Sequence, residues 1–179
     1  LAKDSASPGF MSMLVICRAR ALSVTDRGKE AVREVRRAQD LALQGEHEEL
    51  PYWSGLSGSP RAAVAIHAAK VFRNLSDHSM AERQYQTAGR SYGKHDGGLS
   101  RITALSLAAQ GGEQAAQGHL ERACGTWGQA LTSFDGVYSE RAAKQVSGMR
   151  RQLAVFNRRG VRAAQELDER AHTWQLAYT

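Results

Sequence analysis

A trio of small, large and small residues recurs in this chain and limits what it can fold into. Ala81, Tyr85 and Ala88 return as Ala123, Trp127 and Ala130, 42 residues later, and Ala31, Val35 and Ala38 make a weaker third copy. Steps of three and four put each trio on one face of a helix. A small residue there lets a second helix approach, the large one fills the gap, and the other small one admits the next helix. Such a face must be covered, so the repeat predicts helices in pairs. No stretch alternates apolar and polar residues for long enough to be a strand. Only 3 Pro and 7% aromatic residues argue against a β-sandwich as well. The expected fold class is all-α.

Apolar periodicity places the helices. After a flexible segment at 1–9, a first stripe holds Phe10, Met13, Leu14, Cys17 and Leu22. Thr25 or Asp26 offers the N-cap of the next helix, whose stripe runs Ala31, Val35, Ala38 and Leu41 or Ala42, with Gly45 closing it. A loop over 46–60 holds Pro51, Gly55, Gly58 and Pro60, and its Tyr52–Trp53 pair is expected to pack down on a core. Further helices are predicted at about 61–75, from Asp77 or Ser79 to near Tyr92, then, past a loop at 93–98, at about 99–113, 119–134, 139–157 and 160–177. Counting back from Ala81, Ala65, Ala69 and Phe72 take small and aromatic positions on the preceding helix. Counting back from Ala123, Leu107 and Gly111 do so, but Gln114 stands where an aromatic residue is usual. Gly118 begins a tight turn. This is the pattern of tetratricopeptide (TPR) helix pairs, stretched beyond their usual period of about 34 residues. The expected architecture is a TPR-like helical-hairpin superhelix of about four pairs, one domain over 10–179, with a capping last pair on a Val146, Met149, Leu153, Phe156 and Leu167 stripe. A generic helical bundle is the plainer alternative.

Several stretches are similar to one family. They are Pro51-Tyr52-Trp53, Ala65-Ile66-His67-Ala68-Ala69 and Ala81-Glu82-Arg83-Gln84-Tyr85. Next come Ser100-Arg101, Ala104-Leu105-Ser106-Leu107-Ala108 and Gly118-His119-Leu120-Glu121-Arg122-Ala123-Cys124. Ser139-Glu140-Arg141, Arg150-Arg151-Gln152-Leu153 and Glu166-Leu167-Asp168-Glu169-Arg170 complete the set. Together they resemble the C-terminal TPR-like domain of actinobacterial helix-turn-helix transcriptional regulators of the Cro/repressor type, over roughly residues 10–175. Gln114 and the first helix pair depart from the pattern. The resemblance implies a cytoplasmic regulator that binds DNA through a small helix-turn-helix domain preceding Leu1, which these residues do not contain. The TPR part would sense a peptide or small-molecule effector, or form a homodimer. A TPR adaptor with no DNA link is the alternative of a different class.

Chemistry-bearing residues are few. The six His (His47, His67, His78, His95, His119, His172) do not pair with each other or with Cys at ligand spacing, so no metal or other cofactor is expected. Gly-x-Ser-x-Gly is absent, and Gly89 to Lys94 is one residue short of a P-loop. No enzyme is expected. Lys70, Arg73 and Asn74 share one helix face at the positions that line the concave groove of TPR proteins, with His67 one turn earlier. There Lys and Arg can clamp a carboxylate and Asn can pair with a peptide backbone. Ile66 and Arg101 complete the candidate ligand- or peptide-binding set; the plainer reading of it is a solvated face.

Charge and cysteines add limits. The net charge is +6, from 24 basic and 18 acidic residues, which admits an anionic partner without requiring one. Arg33, Arg36 and Arg37 interleave with Glu30 and Glu34 and should pair within the helix. Arg150, Arg151, Arg158, Arg159 and Arg162 look less neutralised, as a solvated face, a subunit contact or a phosphate contact. Cys17 and Cys124 both fall on apolar stripes and read as small core residues in a reducing compartment. The longest apolar run, Met13 to Cys17, is far too short to span a bilayer, and Ile16 before Cys17 does not suit a lipoprotein cleavage box.

Overall fold

The computed structural model describes residues 7–46, 59–93, 101–137 and 139–178. These form eight helices and, among the described residues, no strand. The chain divides into two compact units, Leu1–His95 and Asp96–Thr179, each with its own core.

In the first unit, α1 (Pro8–Leu22) starts where Ser7 Oγ accepts from the Phe10 amide, with Pro8 pre-set for the first turn. Pro8 and Gly9 are thus helical, which shortens the expected N-terminal segment; residues 1–6 lie outside the described residues. The core face of α1 is Ser12, Val15, Ile16, Ala19 and Leu22. The stripe expected from sequence is turned away: Leu14 is 51% exposed and Cys17 is exposed, so Cys17 is not a core residue. The helix is apolar almost all round, so periodicity alone picks no face.

Thr25 does not cap α2. Its hydroxyl donates to the Leu22 carbonyl at 2.8 Å, closing α1 instead. The N-cap of α2 (Gly28–Gln44) is Arg27, whose guanidinium forks onto Glu30 at 2.8 and 2.7 Å. Ala31, Val35, Ala38 and Ala42 are its buried face, and Gly45 ends it as expected. The expected loop at 46–60 and its Tyr52–Trp53 pair fall mostly outside the described residues, but Pro60 already belongs to α3 (Pro60–Asn74), capped by Ser59 Oγ on the Ala62 amide. Nine of the fifteen α3 residues are buried, because α3 packs on α1, α2 and α4 (His78–Gly93). Asp77 caps α4, accepting from the Met80 amide at 3.0 Å.

In the second unit, α5 (Arg101–Ala116) pairs with α6 (Leu120–Ser133), and α7 (Glu140–Asn157) with α8 (Arg162–Tyr178). Contacts of α5 with α7 and of α6 with α8 join the pairs. Trp127 fills the centre of this core and donates from Nε1 to the Ala108 carbonyl at 3.0 Å. Gly111 lies directly under it: a Cβ there would stand inside contact distance of the indole Cδ1, Nε1 and Cγ. Cys124 is buried here, and burial pushes its thiol pKa up.

Every member of the three trios is buried: Ala31, Val35 and Ala38, then Ala81, Tyr85 and Ala88, then Ala123, Trp127 and Ala130. The turns between paired helices repeat too. At Ser76 the amide bonds back to Arg73 O while Asp77 N reaches Phe72 O. The same two bonds recur at Gly118 (to Ala115 O, with His119 N to Gln114 O) and at Gly160 (to Asn157 O, with Val161 N to Phe156 O). All three residues have positive φ, of 60°, 82° and 75°, and each follows the last by 42 residues. This is the Schellman closure, in which a left-handed residue just past the helix end satisfies its last carbonyls.

Candidate functional site

Ile66, His67, Lys70, Arg73 and Asn74 all lie on α3, in the first unit. Arg101 opens α5, in the second unit, and is exposed. On α3 the spacing places His67 and Asn74 two turns apart on the side facing α1, and both are used there. Arg20 Nη1 donates to His67 Nδ1 at 3.2 Å, and Asn74 Nδ2 donates to Ser23 Oγ at 2.9 Å. These two bonds tie the end of α1 to α3. Ser23 is itself held by donating to the Arg20 carbonyl at 2.7 Å.

Electrostatics agree with that geometry. His67 is held well below the usual imidazole range, at about 4, first by burial and then by the positive charges of Lys70 and Arg20. It is therefore neutral at pH 7, with Nδ1 as the acceptor and the proton on Nε2. Lys70 and Ile66 are half-buried and Arg73 is exposed. Arg20, Lys70 and Arg73 thus bring three cationic side chains to adjoining α1 and α3 surfaces, with a neutral imidazole among them. Arg20 was not singled out in the sequence: it comes from another helix, and nothing local to it distinguishes it from Arg18.

The other candidates resolve differently. Arg150 is no loose cation: its Nε donates to Asp168 Oδ1 at 2.7 Å and its Nη1 to Gln175 Oε1 at 2.8 Å, joining α7 to α8. Asn157 adds a 3.1 Å bond to the other Asp168 oxygen, and Arg162 pairs with Glu166 at 2.7 Å. Arg151, Arg158 and Arg159 stay exposed. On α2, Glu34 is shared between Arg37 at 4.0 Å and Arg18 of α1 at 3.7 Å, while Glu30 serves Arg27. Gln114 is buried where an aromatic was expected. Among the described residues, no group of three or more His, Cys, Asp or Glu is placed to hold a metal ion, and no helix is long and apolar enough to cross a membrane. Compared with known proteins, the chain matches no family model and no curated sequence.

Proposed function

We propose that the chain is a TPR-like sensing and dimerising module of a cytoplasmic transcriptional regulator, controlling a DNA-binding domain attached to it. The observation that carries this reading is the recurrence of one helical-hairpin turn at Ser76, Gly118 and Gly160, together with the buried trios packed beside it. Repeated hairpins of this kind build extended binding surfaces rather than reaction centres. The effector, a peptide or small molecule, binds along α3, where Lys70 and Arg73 supply charge for a carboxylate and Arg20 of α1 lies against His67 one turn before Lys70. The effector acts by population shift: it favours one arrangement of the helix pairs or of the dimer, and so one spacing of the attached DNA readers.

The test is isothermal titration of the chain with short peptides ending in a free carboxylate, each beside its C-terminal amide. The acid forms bind better than the amides, and the Lys70→Ala/Arg73→Ala double variant loses affinity by about tenfold or more, as expected for charge-assisted bonds. Equal binding by acid and amide, or an unchanged double variant, sinks the α3 site. Strong DNA binding by this chain alone at physiological salt contradicts an attached reader domain.

A further inference from the structure

We propose that the trough between α6 and α8 is a docking site for a basic amphipathic helix of a partner protein. The trough has a volume of about 680 Å³ and is lined from the end of α6 and along α8. It belongs to the second unit and is independent of the α3 site.

Its floor is apolar and stiff. Leu131, Trp174 and Ala177 line it. The Trp174 indole donates to the Phe134 carbonyl at 3.2 Å, and its ring leans on Phe134 with centroids 5.9 Å apart. The polar edge of the indole is thus used internally, which holds the ring as a fixed wall. Glu166, Glu169, Arg170, Thr173, Trp174 and Ala177 follow one another at alternating steps of three and one, so α8 presents them as one continuous strip. The twelve residues from Glu166 to Ala177 span about 16 Å along the helix, or three turns. With the last turn of α6 (Leu131, Thr132) and Asp135 beside it, this strip offers a third helix a surface to meet with its i, i+3, i+4 side chains.

Charge selects the occupant. Asp135, Glu166 and Glu169 stand on the rim against the single Arg170, which reaches Thr132 Oγ1 at 3.5 Å. Arg162 neutralises Glu166, while Asp135 and Glu169 form no ion pair among the described residues. The trough is therefore acidic in a chain whose net charge is +6. A helix with Lys or Arg beside an aliphatic stripe satisfies both parts: its apolar side chains cover Ala177 and the half-buried Trp174, and its cations meet Asp135 and Glu169.

The test uses the full chain and a fluorescent Lys/Leu amphipathic peptide of about 14 residues, long enough for the trough. A Glu/Leu peptide of equal length is the charge-reversed control. Anisotropy should show binding of the Lys/Leu peptide alone, weakened about tenfold or more by Asp135→Arg/Glu169→Arg, since like charges then face each other. Glu121→Arg/Glu140→Arg makes the same change in net charge at exposed positions elsewhere in the unit and should leave affinity nearly unchanged. All the substituted residues are exposed, so circular dichroism should stay constant; Glu169→Gln should weaken binding in the same direction, by less. Equal loss in both double variants overturns the proposal, because net charge alone would explain it. So does binding of both peptides alike, displacement by spermidine at concentrations matching the peptide, or a self-association of the chain that Asp135→Arg/Glu169→Arg abolishes.

Discussion

Gly111 and Trp127 show how one residue permits another. The indole occupies the space that a Cβ at Gly111 would need, and its N–H bond to Ala108 O keeps it from moving aside. Gly111→Ala should therefore destabilise the second unit by roughly 3 kcal/mol, at the upper end of overpacking costs, read as a lower urea midpoint. At Ser76 the sign reverses. Its side chain sits exposed on a left-handed backbone, φ 60°, in the position that Gly118 and Gly160 hold in the other two turns. Ser76→Gly removes the steric cost and adds chain entropy to the unfolded state, for a net gain of roughly 0.5 kcal/mol. His67 makes stability depend on pH. Its folded pKa of about 4 lies below the ordinary imidazole value of 6.5, so the unfolded chain takes up the proton first as pH falls. Its contribution to stability is complete above about pH 6.5 and declines as pH falls toward 4. His67→Gln should flatten the change in urea midpoint across that window; an unchanged slope would show that the imidazole is not held neutral. The trios were legible in the sequence because their spacing is local. That Gly160 belongs to the same series was not, because its helix carries Ala164, Leu167 and Ala171 on its buried face, with the large residue three places after the first small one instead of four.

At the scale of elements, the sequence placed most helix ends to within two residues, where capping chemistry is local. Asp77 caps as its residue type suggests, while Gly45 ends α2 in the expected place but at φ −95°, without using a glycine's left-handed freedom. Ser59 caps α3 through one bond to Ala62 N, so Ser59→Ala should cost about 1 kcal/mol in thermal or urea unfolding. An unaltered midpoint would mean that Pro60 alone starts the helix. Faces were harder to read than ends. α1 offers apolar residues on nearly every side, and only packing against α2 and α3 selects Val15, Ile16 and Ala19 over Leu14 and Cys17. The candidate site had the same limit. Spacing gathered His67, Lys70, Arg73 and Asn74 on α3, but the partners Arg20 and Ser23 lie 47 and 51 residues away in the chain. They reach the site only because α1 packs on α3. Arg150 is another long-range case: its carboxylate, Asp168, comes from the following helix, so a run of arginines looked barer in sequence than it is in the fold.

At the scale of the molecule, two cores carry the eight helices of the described residues, and one hairpin turn recurs at a fixed interval in both units. That recurrence supports a repeat module, and its cationic α1–α3 surface supports an effector site there. The most direct test is a crystal structure of this chain purified under mild conditions with whatever remains bound to it. The account predicts density for an anionic ligand or a peptide carboxylate against Lys70 and Arg73, within reach of Arg20. Density seated elsewhere, with the α3 surface bare and Lys70→Ala/Arg73→Ala retaining the same bound molecule, would contradict it.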